Sequence, residues 1–174
     1  MSWFDDAMGL FNRDSNDPVR FRMREEILSI GDDAWIENED GDHVYRVNGK
    51  AMRLTETIAL EDTDGNELAW LKEPLMKVRD SMDIIIGDRE ATVKKKLMSI
   101  RDTFFLEVKD GPEYQAKGDL VDHEYEIECD GKEVAKVSKK WFRMRETYGI
   151  EIEPDQDIVL LLCFAICIDS MNRG

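Results

Sequence analysis

Few residues in this chain have the chemistry for acid–base or metal catalysis. There are two histidines, His43 and His123, and His123 stands between two acids in Asp122-His123-Glu124. A catalytic or metal-binding histidine needs a carboxylate or further ligands that converge on it. In a strand, neighbouring side chains point to opposite faces, so both flanking acids are expected to point away from His123. An enzyme centred on His123 remains an alternative, and this spacing argues against it.

A second set of chemically capable residues is basic. A turn at Gly87-Asp88 pairs strand 75–86 with strand 89–97 and sets Arg79 nearly opposite Lys96. Because like charges on facing strands repel, such a cluster predicts a site for an anionic ligand, a lipid headgroup or another phosphate. Neutralisation by acids on the same strands or on the next one is the alternative. The predicted anion-binding residues are Lys77, Arg79, Lys94 and Lys96.

Other patterns that resemble functional motifs have simpler explanations. The stretch "DTDGNE" (62–67) begins like a calcium loop but lacks the later acidic positions, so a hairpin turn is favoured. Cys163 and Cys167 have the spacing of one helix face, but their neighbours are Leu, Phe and Ile, which favours packing. The sequence contains no phosphate-binding Gly-rich loop, nucleophile elbow or Cys–His constellation. We therefore expect no enzyme, no cofactor and no metal.

The charge balance narrows the class of partner. The 174 residues include 39 Asp and Glu against 24 Lys and Arg, a formal net charge of −15 at pH 7. This charge opposes binding to nucleic acid and, in general, to anionic membranes, which makes a basic cluster informative. Dispersed acidity also suits work in high salt, with an ordinary acidic protein as the alternative. Three cysteines without metal-type spacing, and no signal peptide, predict a soluble cytoplasmic protein.

Turn signals recur along the chain and predict a series of hairpins. Two markers alternate: Asp-Gly or Gly-Asp pairs, and an Arg-x-Thr or Arg-x-Ser triplet in which His123 takes the place of one arginine. In "HEYEIEC" (123–129), Tyr125, Ile127 and Cys129 alternate with three glutamates, which is the pattern of a half-buried antiparallel strand. Similar segments give about twelve strands from Phe21 to Ile152. The pairs recur every 20 to 24 residues, at 40–41, 64–65, 87–88, 110–111 and 130–131.

The last apolar segment predicts what fills the sheet once it closes. After Pro154 and Asp155, which suit a helix start, the stretch from Ile158 to Ile168 is apolar without a break. A helix apolar on every side must be buried, and its length of about 16 Å is too short for a bilayer core of about 30 Å. We predict a mainly β fold, a closed antiparallel barrel of about twelve strands around a C-terminal helix at 153–171.

The barrel domain is predicted to span 21–174, after an N-terminal extension at 1–20. Within the extension, "WFDDAMGLF" (3–11) suits either packing on the barrel or docking to a partner. Trp141 and Phe142 are expected to be core-type side chains, with Phe142 on the inward face. For that reason they weaken the case for a second basic run, formed by Lys136, Lys139, Lys140, Arg143 and Arg145.

Several stretches resemble the LURP-one-related family, which has the tubby C-terminal-like fold. Together they cover about residues 20 to 172, nearly the whole chain. The resemblance implies a twelve-stranded barrel around a hydrophobic helix. The matching stretches are "EILSIGDDAWIE" (26–37), "GNELAWLKE" (65–73), "LMKVRDSM" (75–82), "DHEYEI" (122–127), "VAKVSKKWFRMRETYGIEI" (134–152) and the helix ending in "CID" (167–169).

The resemblance implies little about activity. Prokaryotic members of the family have no established biochemical role, and plant members are associated with pathogen defence. The distant tubby proteins bind phosphoinositide headgroups, but no such motif aligns with this chain, so no lipid-binding residue is carried over. The leading interpretation is a soluble, non-enzymatic cytoplasmic binding or scaffold protein, whose partner is an unknown protein or an anionic lipid headgroup. A peripheral module that binds anionic lipid or phosphate is the alternative.

Overall fold

The predicted hairpins join into one closed barrel. The computed structural model describes residues 16–24, 33–49, 57–73, 80–98, 101–142 and 146–172. Its elements are β1 Val19–Arg24, β2 Ala34–Asn38, β3 His43–Asn48, β4 Thr57–Glu61, β5 Glu67–Lys72, β6 Ser81–Ile86, β7 Arg89–Met98, β8 Arg101–Val108, β9 Glu113–Asp119, β10 Glu124–Cys129, β11 Lys132–Ser138, β12 Thr147–Ile152 and α1 Ile158–Asn172. The twelve strands follow chain order around the barrel, and β1 closes it by pairing antiparallel with β12. The fold prediction is thus confirmed.

The connections between strands alternate between two ends of the barrel, because consecutive strands are antiparallel. We call the end with the five Asp-Gly or Gly-Asp turns the hairpin end, and the opposite end, with the remaining connections, the link end. The last residue of β12, Ile152, pairs with Ala135 of β11, close to the turn at 130–131. The helix α1 therefore starts at the hairpin end and runs through the lumen to the link end.

Side chains hold the tight turns in shape. Asp62 Oδ1 accepts the backbone N–H groups of Asp64 and Asn66, both at 2.9 Å, and Gly65 has the positive φ of 85° that this turn needs. Hydrogen bonds from the side chain and then the backbone of Asn66 lower the pKa of Asp62. The stretch 62–67 is therefore a hairpin turn, and Asp62 uses its carboxylate to hold the backbone.

The core of the barrel is filled by α1. From Leu160 to Asp169 no residue of the helix is more than 4% exposed, so it is buried on every side. Inward residues of the strands, such as Ile36, Phe104 and Tyr148, are likewise fully buried against it. No helix in the described part of the chain combines the length and the apolar character of a membrane span.

The helix begins at Ile158 because Asp157 is its N-cap. Asp157 Oδ1 accepts the N–H of Leu160 at 3.2 Å, and its carbonyl accepts the N–H of Leu161 at 3.1 Å. Arg89 Nη1 also lies 2.8 Å from Asp157 Oδ2. The cap therefore fixes both the first turn of the helix and its place at the hairpin end.

The prediction that Trp141 and Phe142 are core residues is wrong. Both rings lie outside the barrel wall, against Gly149 of β12: a Cβ at that position would lie 2.7 Å from each ring. Arg20 and Arg22 of β1 lie over them, 5.1 Å from the Trp141 ring centroid and 5.7 Å from that of Phe142. The missing side chain of Gly149 makes room for the rings outside the core. Arg143 and Arg145 of the second basic run lie outside the described residues.

Replacing Leu161 by Asp is expected to prevent folding, because the change buries an unpaired charge at a position with no exposed surface. The control Leu161→Met keeps the volume and is expected to cost less than about 1.5 kcal/mol. Soluble expression and thermal melting followed by circular dichroism measure both effects. A soluble Leu161→Asp variant that melts cooperatively would show that α1 is not part of the core.

Candidate functional sites at the link end

The two ends of the barrel differ in charge. Each tight turn at the hairpin end carries an exposed Asp: Asp40, Asp64, Asp88, Asp110 and Asp130. Among the described residues, the exposed basic side chains at the link end are those of Arg24, Lys72, Lys96 and Lys140. Acids such as Asp80 and Asp122 accompany them, so this end is mixed. Because Asp-Gly pairs also make the turns, the hairpin geometry itself gathers negative charge at one end.

Of the four predicted anion-binding residues, Lys94 and Lys96 are described, whereas Lys77 and Arg79 lie outside the described residues. Both lysines lie on the outer face of β7, because the alternate residue Val93 is fully buried in the core. Ser81 of β6 lies opposite Lys94 in the register of this pair. Two of the four predicted cations therefore lie on the outer face of one strand, β7.

Lys94 has a carboxylate partner on the next strand. Its Nζ lies 2.7 Å from Glu107 Oε2 of β8, and the Lys96 ammonium lies 4.7 Å from the centroid of the Phe105 ring. The hydrogen bond from Lys94 lowers the pKa of Glu107; burial opposes this shift, and the charges of Lys94 and Lys96 add to it. An acid on the next strand therefore neutralises Lys94, which is the alternative that the sequence raised.

Strand alternation misses a third cation, Lys95. By alternation, Lys95 is assigned to the inward face of β7, where a core residue is expected. It lies toward the link end of the strand, and its Nζ is 5.8 Å from the centroid of the Phe104 ring. Its backbone N–H donates to the carbonyl of Asp80 at 2.9 Å. Three consecutive lysines therefore lie on β7, on the half of the strand nearer to the link end.

His123 does not take the place of an arginine in the repeat. It directly precedes β10, as Asp80 precedes β6 and Glu146 precedes β12. All three have a positive φ: 54° at His123, 66° at Asp80 and 58° at Glu146. His123 therefore corresponds to the middle residue of the Arg-x-Thr marker, where a left-handed backbone turns the link into the next strand.

A buried polar cluster surrounds His123. Its Nε2 lies 2.8 Å from Asp169 Oδ1 in the last turn of α1, and the Tyr148 hydroxyl donates to Asp169 Oδ2. The rings of His123 and Tyr148 stack with 4.2 Å between their centroids. The exposed fractions of His123, Tyr148 and Asp169 are 9%, 0% and 4%. A histidine, a tyrosine and a carboxylate thus share one buried site between the helix and the barrel wall.

The carboxylate that converges on His123 is distant in sequence, so strand alternation does not find it. Of the flanking acids, Glu124 faces outward and accepts hydrogen bonds from Ser138 Oγ at 3.1 Å and from the Lys139 N–H at 3.0 Å. The sequence signal for the true partner is an acid, Asp169, placed directly after the unbroken apolar run of the helix. A charge at that position needs a buried donor.

Two buried polar atoms of this cluster, His123 Nδ1 and the Tyr125 hydroxyl, have no hydrogen-bond partner among the described residues. Burial, followed by the nearby Asp169 carboxylate, raises the pKa of Tyr125 well above its ordinary value. The phenol therefore stays protonated. Nε2 of His123 is bonded to Asp169, and its Nδ1 is buried.

The two helix cysteines are packing residues in this structure. Cys163 and Cys167 are fully buried, and burial is the main cause that raises the pKa of both thiols. Among the residues that the structure describes, no group of three His, Cys, Asp or Glu side chains is arranged to hold a metal ion.

Comparisons with known proteins agree with this architecture. A sequence model of the family described as LURP-one-related matches residues 19–169. The protein YxjI of Bacillus subtilis (strain 168), described as uncharacterized, is 26% identical over 155 residues, covering 88% of this chain and 93% of YxjI. An X-ray structure of the Arabidopsis thaliana protein AT5G01750 matches with a TM-score of 0.68 at 16% identity, covering 91% of this chain and 93% of that one. The structural likeness concerns the fold alone.

Removing the Lys94 ammonium is expected to raise the pKa of Glu107 toward an ordinary value of about 4.3. Since the partner lowers the folded-state pKa, the stability that the pair contributes is present above the ordinary pKa and is lost as pH falls through the lowered one. NMR titration of the Glu107 carboxyl carbon in wild type and Lys94→Gln measures the shift. Lys109→Gln is the control that keeps this pair, and an unchanged Glu107 titration in Lys94→Gln contradicts the assignment.

Proposed function

The chain belongs to the LURP-one-related family, and we propose that it is a non-enzymatic binding protein that recognises its partner on the outside of the barrel. The observation that carries this proposal is the filled lumen. From Leu160 to Asp169 the helix is at most 4% exposed, so side chains occupy the space that an open barrel would offer to a ligand. Recognition is therefore left to the outer wall and the two ends.

The surroundings of His123 support a non-enzymatic role. A general base must reach the proton that it abstracts, directly or through one water. Here Nε2 is bonded to Asp169, and Nδ1 is buried. A screen with broad hydrolase and transferase substrates is expected to give no turnover above that of a His123→Gln variant. Turnover that this substitution abolishes would contradict the proposal.

The partner that we propose is an anionic lipid surface, contacted through the link end. Exposed aspartates lie at the hairpin end, so repulsion by an anionic surface turns that end away and favours approach by the opposite one. Three lysines of β7 lie toward the link end, and Lys96 is exposed there. Lys140 and the outward ring of Trp141 belong to the same end, in the connection between β11 and β12.

Binding through these side chains must compete with the ion pair already present. The side chains of Lys94 and Glu107 are 43% and 36% exposed, so solvent screens their attraction and a phosphate can replace the carboxylate. Contacts between lysines and phosphates also weaken as salt rises. The proposal therefore predicts reversible binding that is sensitive to salt.

Co-sedimentation with vesicles tests this proposal. Wild type is expected to sediment with phosphatidylserine-containing vesicles at low salt, less at high salt, and not with phosphatidylcholine alone. Changing Lys77, Arg79, Lys94 and Lys96 to Gln is expected to abolish binding, and changing Lys94 and Lys96 alone to weaken it severalfold. The matched control changes Lys109 and Lys132, two exposed lysines near the hairpin end, to Gln. This control removes the same charge as the double change of Lys94 and Lys96 and is expected to keep most of the binding.

Equal loss of binding in the two double variants would show that net charge, and not the β7 lysines, controls it. No sedimentation of wild type at either salt would contradict the lipid proposal. Competition by inorganic phosphate separates recognition of the phosphate group from recognition of the membrane surface. If inorganic phosphate releases the protein from the vesicles, the lysines bind the group itself.

A further inference from the structure

Two side-chain contacts tie the last turn of α1 to the link between β9 and β10. His123 Nε2 lies 2.8 Å from Asp169 Oδ1, and Asn172 Nδ2 donates to the carbonyl of Leu120 at 3.2 Å. Both link residues belong to the segment 120–123, and both helix residues belong to one turn. This end of the helix and this link are thus connected as a unit.

The other end of α1 is held by the chain itself. Only residues 153–157 separate the helix from β12, and Asp157 both caps the first turn and pairs with Arg89 at 2.8 Å. Movement of that end must pull on a strand of the barrel. The two ends of the helix are therefore unequally attached, since within the described part of the chain the link end is held by side-chain contacts.

Asp169 is the residue on which the link-end contacts converge. It accepts hydrogen bonds from Tyr148 and His123 and is 4% exposed. A carboxylate at the end of a helix also lies near the negative end of the helix dipole. Without its donors, this buried charge would be strongly unfavourable, so the closed state depends on all three side chains.

We infer that His123, Tyr148 and Asp169 form a latch, whose release lets the last turn of α1 and residues 120–123 open together while the barrel stays folded. Opening hydrates His123 Nδ1 and the Tyr125 hydroxyl, two buried atoms that lack a hydrogen-bond partner among the described residues. It also brings the His123–Asp169 pair into solvent at the end that carries the β7 lysines. This inference does not depend on the partner proposed above.

The helix carries its own probes for this opening. Cys163 lies in the middle of α1 and Cys167 one turn closer to the link end, about 6 Å further along the helix. Both are fully buried, so a thiol reagent reaches either one only after opening. Single-cysteine proteins are made by changing Cys129 to Ser together with either Cys163 or Cys167 to Ala, and labelling with a coloured disulfide reagent is timed. The latch predicts that Cys167 reacts at least tenfold faster than Cys163.

Two substitutions weaken the latch to different degrees. Asp169→Asn is expected to speed labelling of Cys167 at least tenfold and to leave Cys163 within twofold. Tyr148→Phe removes one donor, keeps the ring stack and is expected to act the same way more weakly, so it carries the test if Asp169→Asn does not fold. The matched control is Tyr125→Phe, which removes a buried hydroxyl of the same neighbourhood that lacks a partner, and it is expected to leave both rates unchanged or slower.

The inference is overturned if both cysteines react at one common rate in every protein, because the barrel and the helix then open only together. It is equally overturned if Asp169→Asn and Tyr148→Phe leave the Cys167 rate unchanged. A control that speeds Cys167 as much as Tyr148→Phe does would show general loosening of the core and would also contradict the latch.

Discussion

The width of the lumen is the constraint on which the rest of this structure depends. Twelve strands enclose more space than their own inward side chains fill, so a further apolar element must occupy it. The helix α1 meets this need because Leu160 to Ile168 are apolar on every side. The buried helix runs through the barrel from Asp157 at the hairpin end to Asp169 at the link end. It also fills the lumen, which is why we propose recognition on the outer surface.

Turn chemistry and electrostatics are coupled in this fold. Asp-Gly and Gly-Asp pairs provide the backbone angles of the tight turns, and antiparallel connection sends all five turns to one end. The excess of acid over base, read from composition alone, suggests a uniformly acidic surface. Folding instead gathers exposed aspartates at the hairpin end and places Lys94, Lys95 and Lys96 toward the other. An acidic protein can thereby keep several lysines near its less acidic end.

The alternation of apolar and polar residues along the strands and the residue types at the turns were sufficient to predict the fold. Strand alternation, the Asp-Gly turns and the apolar helix gave the closed barrel. Contacts between residues distant in sequence were not predictable in this way. Asp169 reaches His123 only because the helix returns through the lumen, and Trp141 and Phe142 lie outside because Gly149, in the next strand, leaves room for them. Lys95 was missed because alternation assigns it to the core, although it lies toward an open end of the barrel.

The central functional claim is that the link end faces an anionic surface. Hydrogen exchange followed by mass spectrometry, with and without phosphatidylserine-containing vesicles, tests it most directly. The account predicts slower exchange in peptides that cover the connection at 139–142 and, at the same end of the barrel, the last residues of β7, with no change across the turn at 64–65. Protection at the hairpin-end turns, or no protection anywhere at low salt, would contradict it.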